Sequence, residues 1–60
     1  MNVTMKYRIS TKGTHVFNEV MEDGRKPEVQ DTKIPSLYIR RTAFPDGHPQ
    51  YISVTVETIK

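Results

Sequence analysis

Lysine, arginine and tyrosine recur at alternate positions in three segments of this sequence. The residues concerned are Lys6, Arg8, Tyr38, Arg40 and Tyr51. Side chains spaced by two residues point to the same face of a strand, so a sheet built from these segments would place all five on one surface. Tyrosine rings stack on bases or anchor protein interfaces, and basic side chains contact phosphates. The pattern predicts a face that binds a protein or single-stranded nucleic acid, and it also fits an ordinary solvated face.

Arg41 decides how far this basic face extends. It follows Leu37 and Ile39 at alternate positions, so a strand that continued through Arg41 would point its side chain inward with theirs. If the strand ends before Arg41, the side chain turns outward beside Arg40 and enlarges the basic patch. A buried ion pair, for example with Glu19, would instead give Arg41 a structural role.

The sequence lacks the combinations of residues that catalysis requires. Ser10, Ser36 and Ser53 are not within a nucleophile elbow, and the chain has no cysteine. Glu22 and Asp23 are adjacent in a turn where both are solvated, and the three glycines are isolated from one another, so no phosphate-binding loop exists. These features predict a protein that is not an enzyme and that uses no cofactor.

The two histidines are the remaining candidates for metal ligands. His15 and His48 have no fixed spacing, and Asp46 is the one acid near His48 in the sequence. A metal ion needs three or four ligands at defined distances, which would form here only if the ends of two hairpins met. The sequence therefore predicts no metal site.

The elements that would position these residues are strands. Residues 3–9 alternate strictly between apolar and polar side chains, which predicts a half-buried strand. A short polar cluster ending in Gly13 predicts a tight hairpin, with glycine supplying a positive φ. Residues 14–21 fit a strand better than a helix, because acidic residues at the end of a helix would oppose its dipole. A short helix over 14–22, giving an α+β fold, is the alternative.

A second pair of strands is predicted near the carboxyl end of the chain. Residues 37–43 and 51–58 are rich in β-branched and aromatic side chains, and the proline and glycine between them predict a turn that needs positive φ at Gly47. These features predict a second hairpin. Residues 22–36 contain two prolines and many charges, which predicts a polar loop. The predicted fold is a mainly β antiparallel sheet of about four strands, arranged as a small sandwich or open barrel.

Length and composition limit the classes of protein that remain. Sixty residues form a single small domain over 1–60, and no apolar run is long enough to span a membrane. The net charge is +2, divided into +3 over residues 1–18, −3 over 19–31 and +2 over the rest. The absence of cysteine and of a basic-then-apolar leader predicts a cytoplasmic protein. A core of about a dozen side chains gives marginal stability, which homo-oligomerisation would increase.

These observations predict a small binding module without enzymatic activity. Its partner is a protein, or a second copy of the chain, bound through the β-sheet. Binding of single-stranded nucleic acid on the basic, tyrosine-containing face is the alternative.

Overall fold

A computed structural model describes residues 1–59 of the chain, which form one curled antiparallel sheet with the shape of a half-barrel. Its strands are β1 (Asn2–Ser10), β2 (Thr14–Glu19), β3 (Ser36–Arg40) and β4 (Tyr51–Thr55). Their order in the sheet is β3-β2-β1-β4. The prediction of a mainly β, four-stranded antiparallel fold is confirmed.

The first hairpin forms as predicted. The Thr11 N–H donates to the Thr14 carbonyl at 2.8 Å, so Lys12 and Gly13 alone form the loop between β1 and β2. The segment after this loop is a strand and not the alternative helix, and it ends at Glu19, before the predicted limit of 21. The predicted positive φ of Gly13 is wrong, because the turn closes without one.

The predicted pairing of 37–43 with 51–58 is wrong. β3 pairs with β2 and β4 pairs with β1, so β3 and β4 lie at opposite edges of the sheet. The segment between them contains a 3₁₀ turn at Arg41–Ala43 and a turn in which Gly47 has a φ of 107°. It is long enough to cross the open side of the half-barrel, where Phe44 packs on the core. The first hairpin therefore gains a partner strand on each side.

A β-bulge interrupts the pairing of β1 with β2 at Arg8. Tyr7 lies opposite Phe17 and Ile9 lies opposite Val16, so Arg8 is the extra residue. In the rest of β1, the extra residue therefore reverses the face of the sheet to which each side chain points. Ile9, which alternation predicts to be inward, is instead turned to the other face and is 53% exposed.

The two faces of the sheet differ in character. The core face carries the buried side chains of Val3, Met5 and Phe17, against which Tyr7, Leu37, Ile39, Ile52 and Val54 pack. Ile34 and Phe44 from the connecting segments complete this cluster. The opposite surface, here called the outer face, carries Lys6, Val16, Asn18, Tyr38 and Tyr51.

The connection from β2 to β3 is a long polar loop, as predicted, and contains a 3₁₀ turn at Val29–Asp31. Its return to the sheet is held by Glu19. Oε1 of this carboxylate accepts hydrogen bonds from the backbone N–H groups of Lys33 and Ile34, both at 2.8 Å. Pro27 is buried against the sheet. The second half of the loop is therefore held in place by the buried Pro27 and by the hydrogen bonds to Glu19.

Candidate functional site

The basic residues and tyrosines predicted to share a face do lie on the outer side of the sheet. Tyr51 lies opposite Lys6, and the Lys6 Nζ is 5.9 Å from the centre of the Tyr51 ring. Tyr38 and Arg40 follow the same parity on β3, and Arg8 is exposed at the bulge. The two tyrosines are 66% and 52% exposed, so their rings are accessible to a partner.

The strand order separates these residues into two groups. Lys6 and Tyr51 lie toward the β4 edge, whereas Tyr38 and Arg40 lie on β3 at the other edge. Three strand spacings of about 4.8 Å each separate the two edges. The predicted second hairpin would have brought the two tyrosines onto neighbouring strands. The observed order instead gives two tyrosine–cation groups on one face.

Arg41 does not enlarge this face. It lies just beyond β3 in the 3₁₀ turn and is exposed, as expected if the strand ends before it. Its Nη2 donates to the carbonyl of Thr11 at 2.9 Å. The suggested ion pair with Glu19 does not form, because that carboxylate accepts hydrogen bonds from the loop. Arg41 ties the end of β3 to the first hairpin turn.

Within residues 1–59, the backbone groups along the outer edge of β4 have no partner strand. The Val56 N–H donates to the Met1 carbonyl at 2.8 Å, which fixes the alternation along this strand. Every second residue of this segment, counted back from Val56, directs its N–H and C=O groups toward β1. The N–H and C=O groups of the residues between them, Tyr51, Ser53 and Thr55, therefore point away from the sheet. An edge of this kind is a template for pairing with another strand.

The edge formed by β3 is better protected against pairing than the edge formed by β4. Pro35 precedes β3 directly, and Arg40 and Arg41 place two positive charges at its end. Charges and proline are the usual devices that block edge-to-edge association. The residues of β4 include no charge and no proline. The unprotected edge of the sheet is therefore β4.

A cluster of aromatic side chains and hydroxyl groups, the histidine cluster, lies on the core face at the end of the first hairpin. The His48 ring stacks on the Tyr7 ring with centroids 3.6 Å apart, and its centroid is 4.9 Å from that of His15. Ser10 Oγ lies 2.7 Å from both the Tyr7 Oη and the His15 Nδ1. Phe44 covers His15 from the second connection.

Burial lowers the pKa of His15 below its ordinary value of 6.5, and electrostatic repulsion from His48 and Arg41 lowers it further. The side chain is only 7% exposed. His15 is therefore neutral at pH 7, with Nδ1 in the hydrogen-bonded chain that runs through Ser10 to Tyr7.

Sequence reasoning did not predict the histidine cluster. The signal available was the pairing of Ser10 with His15 across a two-residue turn, which brings a hydroxyl and an imidazole together. The contact with His48 depends on the second connection crossing the core face, which no local pattern indicates. Within residues 1–59, no carboxylate hydrogen-bonds to His15, so the serine–histidine contact lacks the third group that orients a catalytic base.

The part of the chain that the structure describes contains neither a metal-binding group of side chains nor a membrane-spanning helix. His15 and His48 meet, yet residues 1–59 contain no group of three His, Cys, Asp or Glu side chains placed to hold a metal ion. None of the helical turns in this range has the length and apolar character needed to cross a membrane. Comparisons of the chain with protein-family models, curated proteins and solved structures gave no match.

Proposed function

We propose that this protein is a small, non-enzymatic binding module that pairs with a second copy of itself along β4. The observation that carries the proposal is the outer edge of β4, where three residues have backbone groups without a partner in residues 1–59 and where the strand has neither charge nor proline. Main-chain pairing at an exposed sheet edge is a common mode of protein recognition.

The sequence of β4 suits antiparallel pairing about a two-fold axis at Ser53. In that register Ser53 lies opposite Ser53 of the second copy, and Tyr51 lies opposite Thr55 of the second copy. These are the residues whose N–H and C=O groups point outward, so each opposed pair exchanges two hydrogen bonds. A two-fold interface uses the same surface on both copies, as this arrangement requires.

Pairing would also extend the apolar core face. Ile52 and Val54 are half-buried on that face and would lie beside their counterparts in the second copy. Val56, just beyond the end of β4, is an exposed apolar side chain that the second copy would cover. Burial of such surface stabilises the association by about 25 cal/mol per Å².

A matched pair of substitutions tests the proposal. Ser53 and Ser36 are exposed serines on the two edge strands, and each donates a hydrogen bond to an asparagine Oδ1, that of Asn2 or Asn18. Ser53→Lys places two positive charges opposite each other at the axis, which we expect to weaken self-association by about fivefold or more. Ser36→Lys should leave it unchanged.

Sedimentation equilibrium from micromolar to millimolar protein measures the association, and the melting temperature should rise with concentration in the wild type. A wild-type protein that stays monomeric throughout this range refutes the proposal. Equal weakening by both substitutions would also refute it, because the effect would then not depend on β4.

A second candidate function is binding of single-stranded nucleic acid on the outer face. It is supported by the placement of Lys6 beside the exposed Tyr51 ring, and of Arg40 two residues from the exposed Tyr38. Each group combines a stacking platform with a phosphate-binding cation. If the candidate is right, the double variant Arg8→Ala and Arg40→Ala should weaken binding of a labelled oligonucleotide and reduce its salt dependence. Lys12→Ala, in the hairpin turn, is the control, and a salt slope unchanged by the double variant would refute the candidate.

A further inference from the structure

A cleft of about 570 Å³ lies between the outer face of the first hairpin and the long β2–β3 loop. Its floor includes Lys6 and Asn18, which face each other across β1 and β2. Its opposite wall includes Gly24, Lys26 and Val29 from the loop. A volume of this size falls within the range of small-molecule sites, which is roughly 300–1,000 Å³.

Three cations line the cleft, and none of them has a carboxylate partner within residues 1–59. These are Lys6, Arg8 and Lys26. Within residues 1–59 the ion pair that forms is between Arg25 and Asp23, and it uses none of them. The three cations come from two strand positions and the loop, and the Lys6 Nζ also lies 5.9 Å from the centre of the Tyr51 ring. Their field favours an anionic ligand.

Among residues 1–59, Glu19 is the one acidic residue in the lining. Its Oε1 is occupied by the Lys33 and Ile34 N–H groups, which hold the loop in place. Two hydrogen bonds from backbone N–H groups compensate part of its negative charge. The lining therefore retains a positive balance of three cations against one partly compensated carboxylate.

The remainder of the lining is largely apolar. It includes Val20, Pro27, Val29 and Pro35. Pro27 is buried, whereas Val29 is 89% exposed, even though it belongs to the wall of the cleft. An apolar side chain left this exposed gains stability when a ligand covers it.

We infer that this cleft binds a small organic anion with an aliphatic body, of the class represented by medium-chain carboxylates. The carboxylate lies among the three cations, and the aliphatic chain lies along Val20 and Val29. The site belongs to β1, β2 and the loop, so it does not depend on pairing at β4.

Titration of the ¹⁵N-labelled protein with sodium octanoate, followed by amide chemical shifts, tests this inference. The shifts should change most at cleft residues such as Arg8, Lys26 and Val29. Octanol has the same chain without the charge and should bind about tenfold or more weakly, because charge-assisted contacts are lost. Lys26→Ala should weaken octanoate binding about threefold to tenfold, and Lys12→Ala, distant from the cleft, should not.

Three results would overturn the inference: shift changes confined to other parts of the protein, equal affinity for octanol and octanoate, or no binding of octanoate. The variant Ser53→Lys separates this test from the proposed function. Its self-association should be weakened and its octanoate binding unchanged, so failure of one proposal does not produce failure of the other.

Discussion

His15 shows how strongly the surroundings of one residue control its chemistry. It lies in a strand, directly opposite Ser10, and is enclosed by the aromatic rings of Tyr7, Phe44 and His48. Burial, together with electrostatic repulsion from His48 and Arg41, favours the neutral imidazole. A proton added to His15 would therefore be placed in an unfavourable environment that only unfolding relieves.

The stability of the protein should consequently depend on pH through His15. The unfolded chain takes up a proton at this residue near its ordinary pKa of 6.5, and the folded chain does so only at lower pH. The contribution of neutral His15 to the free energy of unfolding is fully present above about pH 6.5 and decreases as the pH falls below this value. Urea unfolding at about pH 7.5 and pH 5.5 measures the difference.

The variant His15→Gln should show a smaller loss of stability between these pH values than the wild type. Stability of both proteins should be nearly constant between about pH 7.5 and 8.5, where an imidazole no longer titrates. An identical acid dependence in the variant would contradict the role given to His15.

The outer-face residues were predictable from the sequence because side-chain parity in a strand is a local property. Lys6, Tyr38, Arg40 and Tyr51 were placed correctly by alternation alone. Ile9 was placed wrongly, since a bulge changes parity without changing composition. The histidine cluster depends on contacts between distant segments, and for that reason no local pattern could indicate it.

At the scale of elements, the bulge at Arg8 connects two stretches of β1 that have opposite parity. Before it, Val3, Met5 and Tyr7 face the core, and after it Ser10 does so. Without the extra residue, Tyr7 and Ile9 would be consecutive and would face Phe17 and Val16 in a regular register. The bulge is therefore a one-residue insertion, and a strand without Arg8 would pair with β2 in a regular register.

Deletion of Arg8 should preserve the fold and change the free energy of unfolding by no more than about 3 kcal/mol. Deletion of Lys6, which is not a bulged residue, should abolish cooperative unfolding because it turns Val3 and Met5 to the outer face. Circular dichroism and thermal unfolding compare the two variants. Equal damage by both deletions would show that the bulge is required for the fold.

The strands themselves were predictable from the sequence, but their neighbours were not. Alternation in residues 51–55 is the same whether the strand pairs with β1 or β3, so periodicity gives no information on the choice. A short turn between β3 and β4 would have favoured a hairpin of these two strands. The observed connection is longer, because it includes the 3₁₀ turn at Arg41–Ala43, and it crosses the core face instead.

At the scale of the whole molecule, stability rests on few buried side chains. Val3, Met5, Val16 and Phe17 are the buried hydrophobic residues in the described part of the chain. Phe17 contacts both Tyr7 and Phe44, so it joins the sheet to the connection that covers the core. A chain of 60 residues has a free energy of unfolding of about 3–9 kcal/mol in total.

Phe17→Ala should cost about 3–5 kcal/mol and leave much of the protein unfolded at 37 °C. Ile9→Ala is the matched apolar truncation at an exposed position and should change stability by about 0.5 kcal/mol or less. Urea unfolding followed by circular dichroism gives both values. A stable, cooperatively folded Phe17→Ala protein would refute this view of the core.

The pairing of β1 with β4 has a consequence for synthesis on the ribosome. β1 is translated before the other strands, yet one of its sides is satisfied only by residues 50–56. Until that segment emerges, the nascent hairpin has an unfilled edge, and an isolated hairpin is at best marginally stable in water. The sheet is therefore completed late, by a contact between distant parts of the chain, which predicts slow folding for a protein of this size. During that interval the nascent chain is most exposed to aggregation, and chaperones that shield extended segments would act on it then.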